Sequence, residues 1–210
     1  MTGRPTVTLK LATSLDGRIA MASGESQWIT GEAARLEGHR LRACHDAVLV
    51  GIGTVLADDP ALTVRLPDHS GPQPLRVVLD SRLRTPATAQ VAAANSLILT
   101  TVDPRPIGQA EVVEVVDVDG RANLHAALDI LHGRGVRSVL IEGGGEVAAS
   151  FLRENLIDRL EWFRAPILLG SEGRPCVAAL SLAKLADAPK FRRRAVQVVG
   201  DDLWERLERI

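Results

Sequence analysis

The chain has 210 residues, of which 46% are hydrophobic and 24% are charged, and its formal net charge at pH 7 is −1. A chain of this length can bury a substantial core as one domain. A net charge near zero argues against broad electrostatic capture of nucleic acid or of an anionic membrane. No apolar run approaches the roughly 18–20 residues of a membrane span, and the N-terminus lacks the apolar core of a secretory signal. Two cysteines are too few for a disulfide framework or a cysteine-based zinc site. We therefore predict a metal-free, cytoplasmic protein of a single domain, residues 1–210.

The first predicted strand is Thr6–Ala12, in which polar and apolar residues alternate. Lys10 lies on the polar face of this strand, where it is either solvated or close to a bound anion. Ser14–Gly17 supplies turn chemistry. The loop Gly24–Thr30 then contains Trp28, which is either a buried residue at the edge of the core or a flat wall for a planar ligand.

A helix is predicted over Glu32–His45, with Thr30 or Gly31 as its N-cap. Four residues at roughly helical spacing form its predicted core face, namely Ala33, Leu36, Leu41 and Cys44. We expect Cys44 to be buried in this packing. The opposite face carries charged side chains, including Arg42, in the pattern of a solvated surface.

Asp46–Arg65 is the most informative stretch, because an apolar half is followed by a polar one. The apolar run AVLVGIG predicts a buried strand that enters a tight turn at the glycines. The second half loses apolar periodicity and contains Thr54, Asp58 and Arg65. Such a loop is either a solvated surface segment or a site at the carboxyl end of a strand, where α/β enzymes present their ligand-binding residues.

Further predicted elements follow in order. Strands are expected at Leu75–Asp80, Ser96–Thr101, Val112–Val116, Ser138–Glu142, Leu160–Ala165, Ile167–Leu169 and Ala195–Val199, and a helix at Asn123–His132. Leu203–Leu207 is compatible with a strand or a short helix. Nearly continuous apolar strands separated by crossovers predict an α/β fold with a mainly parallel central sheet, flanked by helices, and the closely spaced late strands predict antiparallel additions.

Gly143-Gly144-Gly145 separates the strand Ser138–Glu142 from a predicted helix at Glu146–Arg153. Glycines between a strand and a helix N-terminus expose backbone N–H groups to an anion, and the helix dipole adds to the attraction. The alternative is ordinary turn chemistry.

Several well-known motifs are missing. The sequence Gly51-Ile52-Gly53-Thr54-Val55-Leu56 departs from G-x-G-x-x-G at its last position. Neither a Walker lysine, a G-x-S-x-G elbow nor the zinc-deaminase motif occurs. The remaining polar residues are compatible with one phosphorylated substrate and one phosphorylated cofactor.

Six separated blocks, in order, resemble the reductase domain of the bacterial bifunctional riboflavin-pathway deaminase/reductase family. They are KLATSLDGRIA at Lys10–Ala20, GESQWIT at Gly24–Thr30, LRACHDAVLVGIGTVLADDPALTVR at Leu41–Arg65, RVVLDS at Arg76–Ser81, IEGGGEVAASFL at Ile141–Leu152 and APILLG at Ala165–Gly170. The resemblance implies a dihydrofolate-reductase-like fold. It also implies NADPH-dependent reduction of 5-amino-6-(5-phosphoribosylamino)uracil to its ribitylamino product.

The resemblance also assigns residues to roles. The expected substrate contacts are Ser26, Arg42, Leu62, Arg65 and Glu142. The expected cofactor contacts are Ala12, Trp28, Thr54, Asp58, Ser81, Gly144, Gly145, Glu146, Val147, Ala148, Ala149 and Ser150. Arg42 and Arg65 are the natural partners of a phosphate, because guanidinium groups bind its oxygens in pairs. Hydride is expected at ribose C1′, with Lys10, Asp58 or Glu142 assisting the proton transfer directly or through water.

Some alternatives stay open. The substrate is either this uracil, the undeaminated 2,5-diamino-6-ribosylaminopyrimidinone 5′-phosphate or another pteridine- or pyrimidine-like compound. A non-catalytic nucleotide-binding module is the alternative from a different class. The resemblance implies a homodimer. Because the family's zinc deaminase domain is not in this sequence, the chain is expected to be a stand-alone reductase or an excised domain. Ser81, Arg82 and Arg84 are candidates to hold the 2′-phosphate of NADPH; the alternative is that the two arginines are solvated.

Overall fold

The computed structural model describes residues 3–210. Met1 and Thr2, with which the predicted domain and the N-terminal segment begin, lie outside the described residues. The helices are α1 (Glu32–Ala43), α2 (Ile52–Asp58), α3 (Leu124–Gly133) and α4 (Gly145–Arg153). The strands are β1 (Thr6–Thr13), β2 (Arg18–Ala20), β3 (Ala47–Gly51), β4 (Leu75–Leu79), β5 (Ser96–Thr100), β6 (Glu111–Glu114), β7 (Asp117–Val118), β8 (Arg121–Ala122), β9 (Ser138–Glu142), β10 (Arg159–Arg164), β11 (Arg174–Pro175), β12 (Phe191–Val199) and β13 (Asp202–Arg209).

The chain divides into two compact units. The first unit is His39–Leu140 with the described residues before Val7, and the second unit is Val7–Gly38 with Ile141–Ile210. In the first unit β3, β4, β5 and β6 pair in this order, and each pair is parallel. Every residue of β3 and β5 is buried, which is typical of parallel strands covered on both faces.

In the second unit β1 pairs in parallel with β10. Strand β10 pairs antiparallel with β13, and β13 pairs antiparallel with β12. The α/β fold with mainly parallel strands and antiparallel C-terminal additions is therefore confirmed. Leu203–Leu207 lies within strand β13, which decides between the two alternatives for that segment. The single-domain organisation stays a prediction.

Three local predictions were wrong. The segment after β3 is not a loop, because Ile52–Asp58 forms α2, with Ile52 and Val55 facing the core one turn apart. Ile167–Leu169 is not a strand; the backbone N–H of Leu15 donates to the carbonyl oxygen of Ile167 at 2.8 Å in a loop.

The third error concerns the packed face of α1. Its buried residues are the small Ala34 and Gly38, whereas Leu36 and Cys44 are exposed. Small residues allow the helix backbone to approach its neighbours closely, and hydrophobic spacing does not reveal this. The N-terminal boundary was better predicted. The carbonyl oxygen of Gly31 accepts the first helical hydrogen bond from Arg35, and the Gly31 N–H donates to the buried Asp202 carboxylate at 2.7 Å.

Candidate functional site

The candidate residues divide between the two units. The first unit contains Arg42, Thr54, Asp58, Leu62, Arg65 and Ser81. The second unit contains Lys10, Ala12, Ser26, Trp28, Glu142 and Gly144–Ser150. Within residues 3–210, the side chains include no cluster of three histidines, cysteines or carboxylates arranged to hold a metal ion.

In the first unit, the loop that contains Thr63 and Arg65 is hydrogen-bonded to Arg42 and His39 of α1. The Arg42 guanidinium donates to the carbonyl oxygen of Thr63 at 2.9 Å. The Arg65 N–H donates to Nδ1 of His39 at 3.2 Å, so the last turns of α1 hold this loop at two points. The Arg65 side chain is exposed. Arg65 thus carries an exposed guanidinium on a loop that the Arg42 guanidinium supports.

Leu62 lies in the same loop but differs from the arginines. Its side chain is buried in the core cluster with Val48 and Val55, and its backbone has a positive φ of 54°. Positive φ is uncommon for a leucine and is retained here by the packing of the side chain. Leu62 as a whole is only 2% exposed, so it supports the loop from within the core.

Thr54 and Asp58 lie on α2, which begins immediately after the buried strand β3. Asp58 is exposed, and Thr54 is half-buried. The helix ends at Asp59, which has left-handed backbone geometry and accepts hydrogen bonds from the backbone and side chain of Gln90 at 2.8 and 2.5 Å. These bonds fix the position at which α2 ends.

Ser81 follows β4, at the sheet edge where β3 also ends. Its carbonyl oxygen accepts from the backbone N–H and hydroxyl of Thr101 at 3.3 and 3.0 Å. Its hydroxyl oxygen accepts from the N–H of Ala122 at 3.1 Å. That bond uses only a lone pair of the hydroxyl, so its proton can be donated to a ligand. Arg82 and Arg84 in the same loop are exposed.

The loop after Ser81 is closed by a buried carboxylate that the sequence did not identify as important. Asp80 is fully buried, and its Oδ2 accepts from the N–H and hydroxyl of Thr85 at 2.7 and 2.8 Å. Its Oδ1 has no hydrogen-bond partner within the described chain. Burial of a carboxyl group is unfavourable unless it is hydrogen-bonded, so each of these two hydrogen bonds contributes strongly to the stability of the loop.

We therefore expect Thr85→Val to lower the free energy of unfolding by about 1–3 kcal/mol, because it removes one donor to a buried charge and keeps the side-chain shape. Thr88→Val, at an exposed position in the following segment, is the matched control. Denaturant unfolding of both variants measures the difference. Equal stability of the two would show that the Thr85 hydroxyl contributes nothing to the loop.

In the second unit, Lys10 and Ala12 alternate with buried residues along β1. Lys10 is half-buried, and its register partner on β10 is Glu161. A β-carbon placed on Gly38 would lie 3.9 Å from Cε and 4.0 Å from Nζ of Lys10. The end of the lysine thus faces the position that a side chain at Gly38 would occupy. Glu142 is the half-buried last residue of β9.

Ser26 and Trp28 lie in the loop before α1. The Trp28 side chain is 66% exposed, so its interpretation as a buried core residue is wrong. The Arg35 guanidinium lies 4.6 Å from the centre of the Trp28 ring and donates to the carbonyl oxygen of Thr30 at 2.8 Å. A cation over one ring face leaves an exposed, oriented aromatic surface.

The glycine segment enters α4 as the sequence predicted, although the helix begins one residue earlier, at Gly145. Gly143 and Gly144 have φ angles of 109° and 87°, which residues with a β-carbon rarely adopt. The first intrahelical bond runs from the N–H of Ala148 to the carbonyl of Gly144. The N–H groups that precede it belong to the part of a helix that binds anions.

The last three residues of the predicted cofactor segment, residues 148–150, have contacts within the protein. Ala148 and Ala149 are buried, so their side chains pack in the core and only their backbone lies near the helix N-terminus. Ser150 accepts a hydrogen bond on its hydroxyl from Arg153 at 3.0 Å. Gly144–Val147 is therefore the part of the predicted segment that best fits a phosphate group.

Close packing of a neighbouring segment requires a glycine at Gly145. A β-carbon there would lie 2.7 Å from the carbonyl oxygen of Pro175 and 3.3 Å from the nitrogen of Ala178. The Ala178 N–H donates to the carbonyl of Gly145 at 3.0 Å. The segment Pro175–Ala178 thus packs directly on the first turn of α4 and fixes its position.

We expect Gly145→Ala to lower the free energy of unfolding by about 1–3 kcal/mol, as overpacking does, and to weaken dinucleotide binding. Gly133→Ala is the control, because a β-carbon there has no neighbour within 4 Å. Alanine at that helical position should be neutral or slightly stabilising. Denaturant unfolding and a dinucleotide titration test the pair; a stable Gly145→Ala variant with unchanged affinity would contradict the packing argument.

Sequence reasoning missed another connection in the second unit. Asp16 accepts from the Ser14 hydroxyl at 2.6 Å and from the N–H groups of Leu169 and Gly170 at 3.1 and 2.8 Å. The Ser14 hydrogen bond and then those backbone bonds lower the pKa of Asp16 to about 2. This carboxylate joins the turn after β1 to the loop after β10. Turn chemistry alone did not predict its distant partners.

Several known proteins are similar to this chain in sequence. The family model described as "RibD C-terminal domain" matches residues 5–204. The riboflavin biosynthesis protein RibD of Bacillus amyloliquefaciens is 39% identical over 96% of this chain and 57% of its own length. The 2,5-diamino-6-ribosylamino-4(3H)-pyrimidinone 5′-phosphate reductase of Archaeoglobus fulgidus is 40% identical over 83% of this chain and 86% of its own length.

A solved structure agrees with these relatives. The diaminohydroxyphosphoribosylaminopyrimidine deaminase/5-amino-6-(5-phosphoribosylamino)uracil reductase of Thermotoga maritima superposes with a TM-score of 0.85 at 31% identity. The superposition covers 99% of this chain and 57% of that one. The chain therefore spans a little over half the length of these longer relatives. No helix within residues 3–210 is long and apolar enough to cross a membrane.

Proposed function

The chain belongs to the RibD C-terminal domain family, and we propose that it is an NADPH-dependent reductase of 5-amino-6-(5-phosphoribosylamino)uracil in riboflavin biosynthesis. The observation that carries the proposal is the match over residues 5–204, which includes every candidate site residue. The reductase named for Archaeoglobus fulgidus supports the reaction class, since it aligns with this chain over most of its own length. The Thermotoga maritima protein supports the uracil substrate.

The cofactor is a nicotinamide dinucleotide, and when bound it supplies the hydride that reduces ribose C1′. The turn at Gly143–Gly144 and the first turn of α4 hold its phosphates through backbone N–H groups. The exposed Trp28 ring, oriented by Arg35, offers a planar contact. Ala12, Thr54, Asp58 and Ser81 complete the cofactor contacts, together with residues 145–150.

Preference for NADPH over NADH is assigned to the loop after β4. The Ser81 hydroxyl keeps its proton to donate, and Arg82 and Arg84 are exposed beside it. Guanidinium groups suit a 2′-phosphate because they combine charge with paired donors. We expect Arg82→Ala with Arg84→Ala to raise the Kd for NADPH about tenfold and to leave that for NADH unchanged. Titrations with both dinucleotides test this; equal effects on the two would exclude a 2′-phosphate site.

The substrate phosphate is assigned to Arg42 and Arg65, which attach to the same loop. Ser26 and Glu142 are the proposed polar contacts, and Leu62 is the proposed apolar contact. The proton that the reduced nitrogen requires comes from Lys10, Asp58 or Glu142, directly or through water. Of these, Lys10 is the one whose charged group lies near an aromatic ring, with Nζ 5.8 Å from the centre of the Phe163 ring.

A second candidate substrate is the undeaminated 2,5-diamino-6-ribosylaminopyrimidinone 5′-phosphate, favoured by the printed name of the Archaeoglobus relative. The two substrates differ at one exocyclic group and share the phosphorylated ribose. The family resemblance also supports a cytoplasmic homodimer whose deaminase partner is a separate protein or another part of a longer chain.

The test is to mix the purified chain with NADPH and each pyrimidine and to follow the loss of reduced-nicotinamide absorbance. Faster oxidation with the uracil than with the diaminopyrimidinone is expected. The reverse order would assign the alternative substrate. NADPH binding without oxidation by either compound would favour a non-catalytic nucleotide-binding module.

A further inference from the structure

We infer that Phe163 and Trp204 are positioning residues for the ammonium group of Lys10, acting as an aromatic platform beneath it. This inference rests on the proposed reductase function, in which Lys10 is a candidate proton donor. Neither aromatic residue belongs to the sequence blocks that carry the family resemblance. Both lie in the second unit, as Lys10 does.

The platform begins with a direct contact. Nζ of Lys10 lies 5.8 Å from the centre of the Phe163 ring. This is within the distance at which an ammonium is attracted to the negative face of an aromatic ring. The Gly38 backbone approaches the same lysine from α1, close enough that an added β-carbon would be in van der Waals contact with Cε and Nζ. The lysine end thus lies near the ring and faces the side-chain position of Gly38 on α1.

Phe163 is itself fixed in place. It is fully buried and stacks on Trp204, with ring centres 5.1 Å apart and planes 18° from parallel. The indole N–H of Trp204 donates to Oε2 of Glu161 at 2.7 Å. The hydrogen bond holds the Trp204 ring, and the Phe163 ring near Lys10 cannot rotate away without breaking the stack.

Strand register explains why these side chains meet. Lys10 pairs with Glu161 across β1 and β10, and Phe163 pairs with Trp204 across β10 and β13. Register partners and residues two apart on a strand share a face of the sheet. Four side chains from three strands are consequently placed on one face.

Two charged side chains, Arg206 and Glu161, contact the Trp204 ring. Arg206, the register partner of Glu161, lies over the Trp204 ring with its guanidinium carbon 4.9 Å from the centre. Burial raises the pKa of Glu161, against the lowering effects of the Trp204 hydrogen bond and of Arg206. Lys10 therefore lies over a ring whose stacking partner, Trp204, is itself hydrogen-bonded to Glu161 and covered by Arg206.

The test replaces the ring and observes the lysine directly. Lysine labelled with 13C gives three Cε signals, because the chain has lysines only at Lys10, Lys184 and Lys190. In the wild type, the ring current of Phe163 should move the Hε protons of Lys10 upfield of those of the exposed Lys184. Phe163→Leu should abolish that displacement, and Phe151→Leu, which removes another fully buried ring of the second unit, should keep it.

The kinetic result should agree with the spectrum. Loss of the cation–π contact in Phe163→Leu should reduce kcat about tenfold and change KM for the pyrimidine by less than about twofold. Trp204→Leu, at a half-buried position, should produce a smaller change in the same direction and serves if Phe163→Leu does not fold.

The outcomes separate this inference from the proposed function. A Lys10 signal that stays displaced in the variants overturns the platform, whatever the turnover. A lost displacement with unchanged kcat overturns the positioning role. If the wild-type chain reduces no pyrimidine, the proposed function fails, and the Lys10 signal still decides whether the ring holds the ammonium.

Discussion

Lys10→Ala is expected to reduce turnover by about 10²–10⁴-fold, the usual contribution of a positioned acid or base. NADPH affinity should change little, because the cofactor is assigned mainly to the backbone of α4 and to Trp28. Single-turnover oxidation of NADPH measures the first quantity, and a binding titration measures the second. Turnover equal to that of the wild type would remove Lys10 from the mechanism.

Two further variants separate the charge of Lys10 from its packing. Lys10→Met keeps an unbranched stem against Gly38 and removes only the ammonium, so it should lose as much turnover as Lys10→Ala. Lys184→Ala, at an exposed lysine of the same unit, is the control for removing a positive charge. Activity retained by Lys10→Met would show that the stem supports the strand and that the ammonium takes no part.

The parts of the fold that the sequence predicted are those in which neighbouring residues carry the signal. Strands β3 and β9 are continuous apolar runs, and each was located to within two residues. Helix α2 was mistaken for a loop because seven residues show only one repeat of the helical period, from Ile52 to Val55. The packed face of α1 was predicted wrongly because its buried residues, Ala34 and Gly38, are small and carry little hydrophobic signal.

The site was predictable in its residue types and not in its connections. The sequence predicted Arg42 and Arg65 together as phosphate ligands. In the structure Arg65 lies on a loop to which Arg42 is hydrogen-bonded. No sequence pattern indicated their hydrogen-bond partners, Thr63 and His39. The contact of Lys10 with Phe163 depends on the register of two strands separated by more than a hundred residues. Such register is set by packing of the whole unit, which local patterns do not encode.

The strongest test of the substrate assignment is Arg65→Ala. Its exposed guanidinium is expected to bind the phosphate, and a charge-assisted hydrogen bond of about 1.5–3 kcal/mol corresponds to roughly a 10–100-fold loss of kcat/KM. The loop should survive, because its contact to His39 is made by the backbone N–H of Arg65. The same change at Arg42 would also remove the bond to Thr63, so Arg65 is the cleaner position.

A substrate without its phosphate makes this prediction specific. In the wild type, removing the phosphate should cost more than the Arg65→Ala change, since it deletes the contacts of both Arg65 and Arg42. In Arg65→Ala, removing the phosphate should cost less than it does in the wild type, because only the Arg42 contact is left to lose. Arg192→Ala, at an exposed arginine of β12, should leave both rates unchanged. If the phosphate and Arg65→Ala effects simply add, Arg65 binds another part of the substrate, and the phosphate depends on Arg42 or on a different cation.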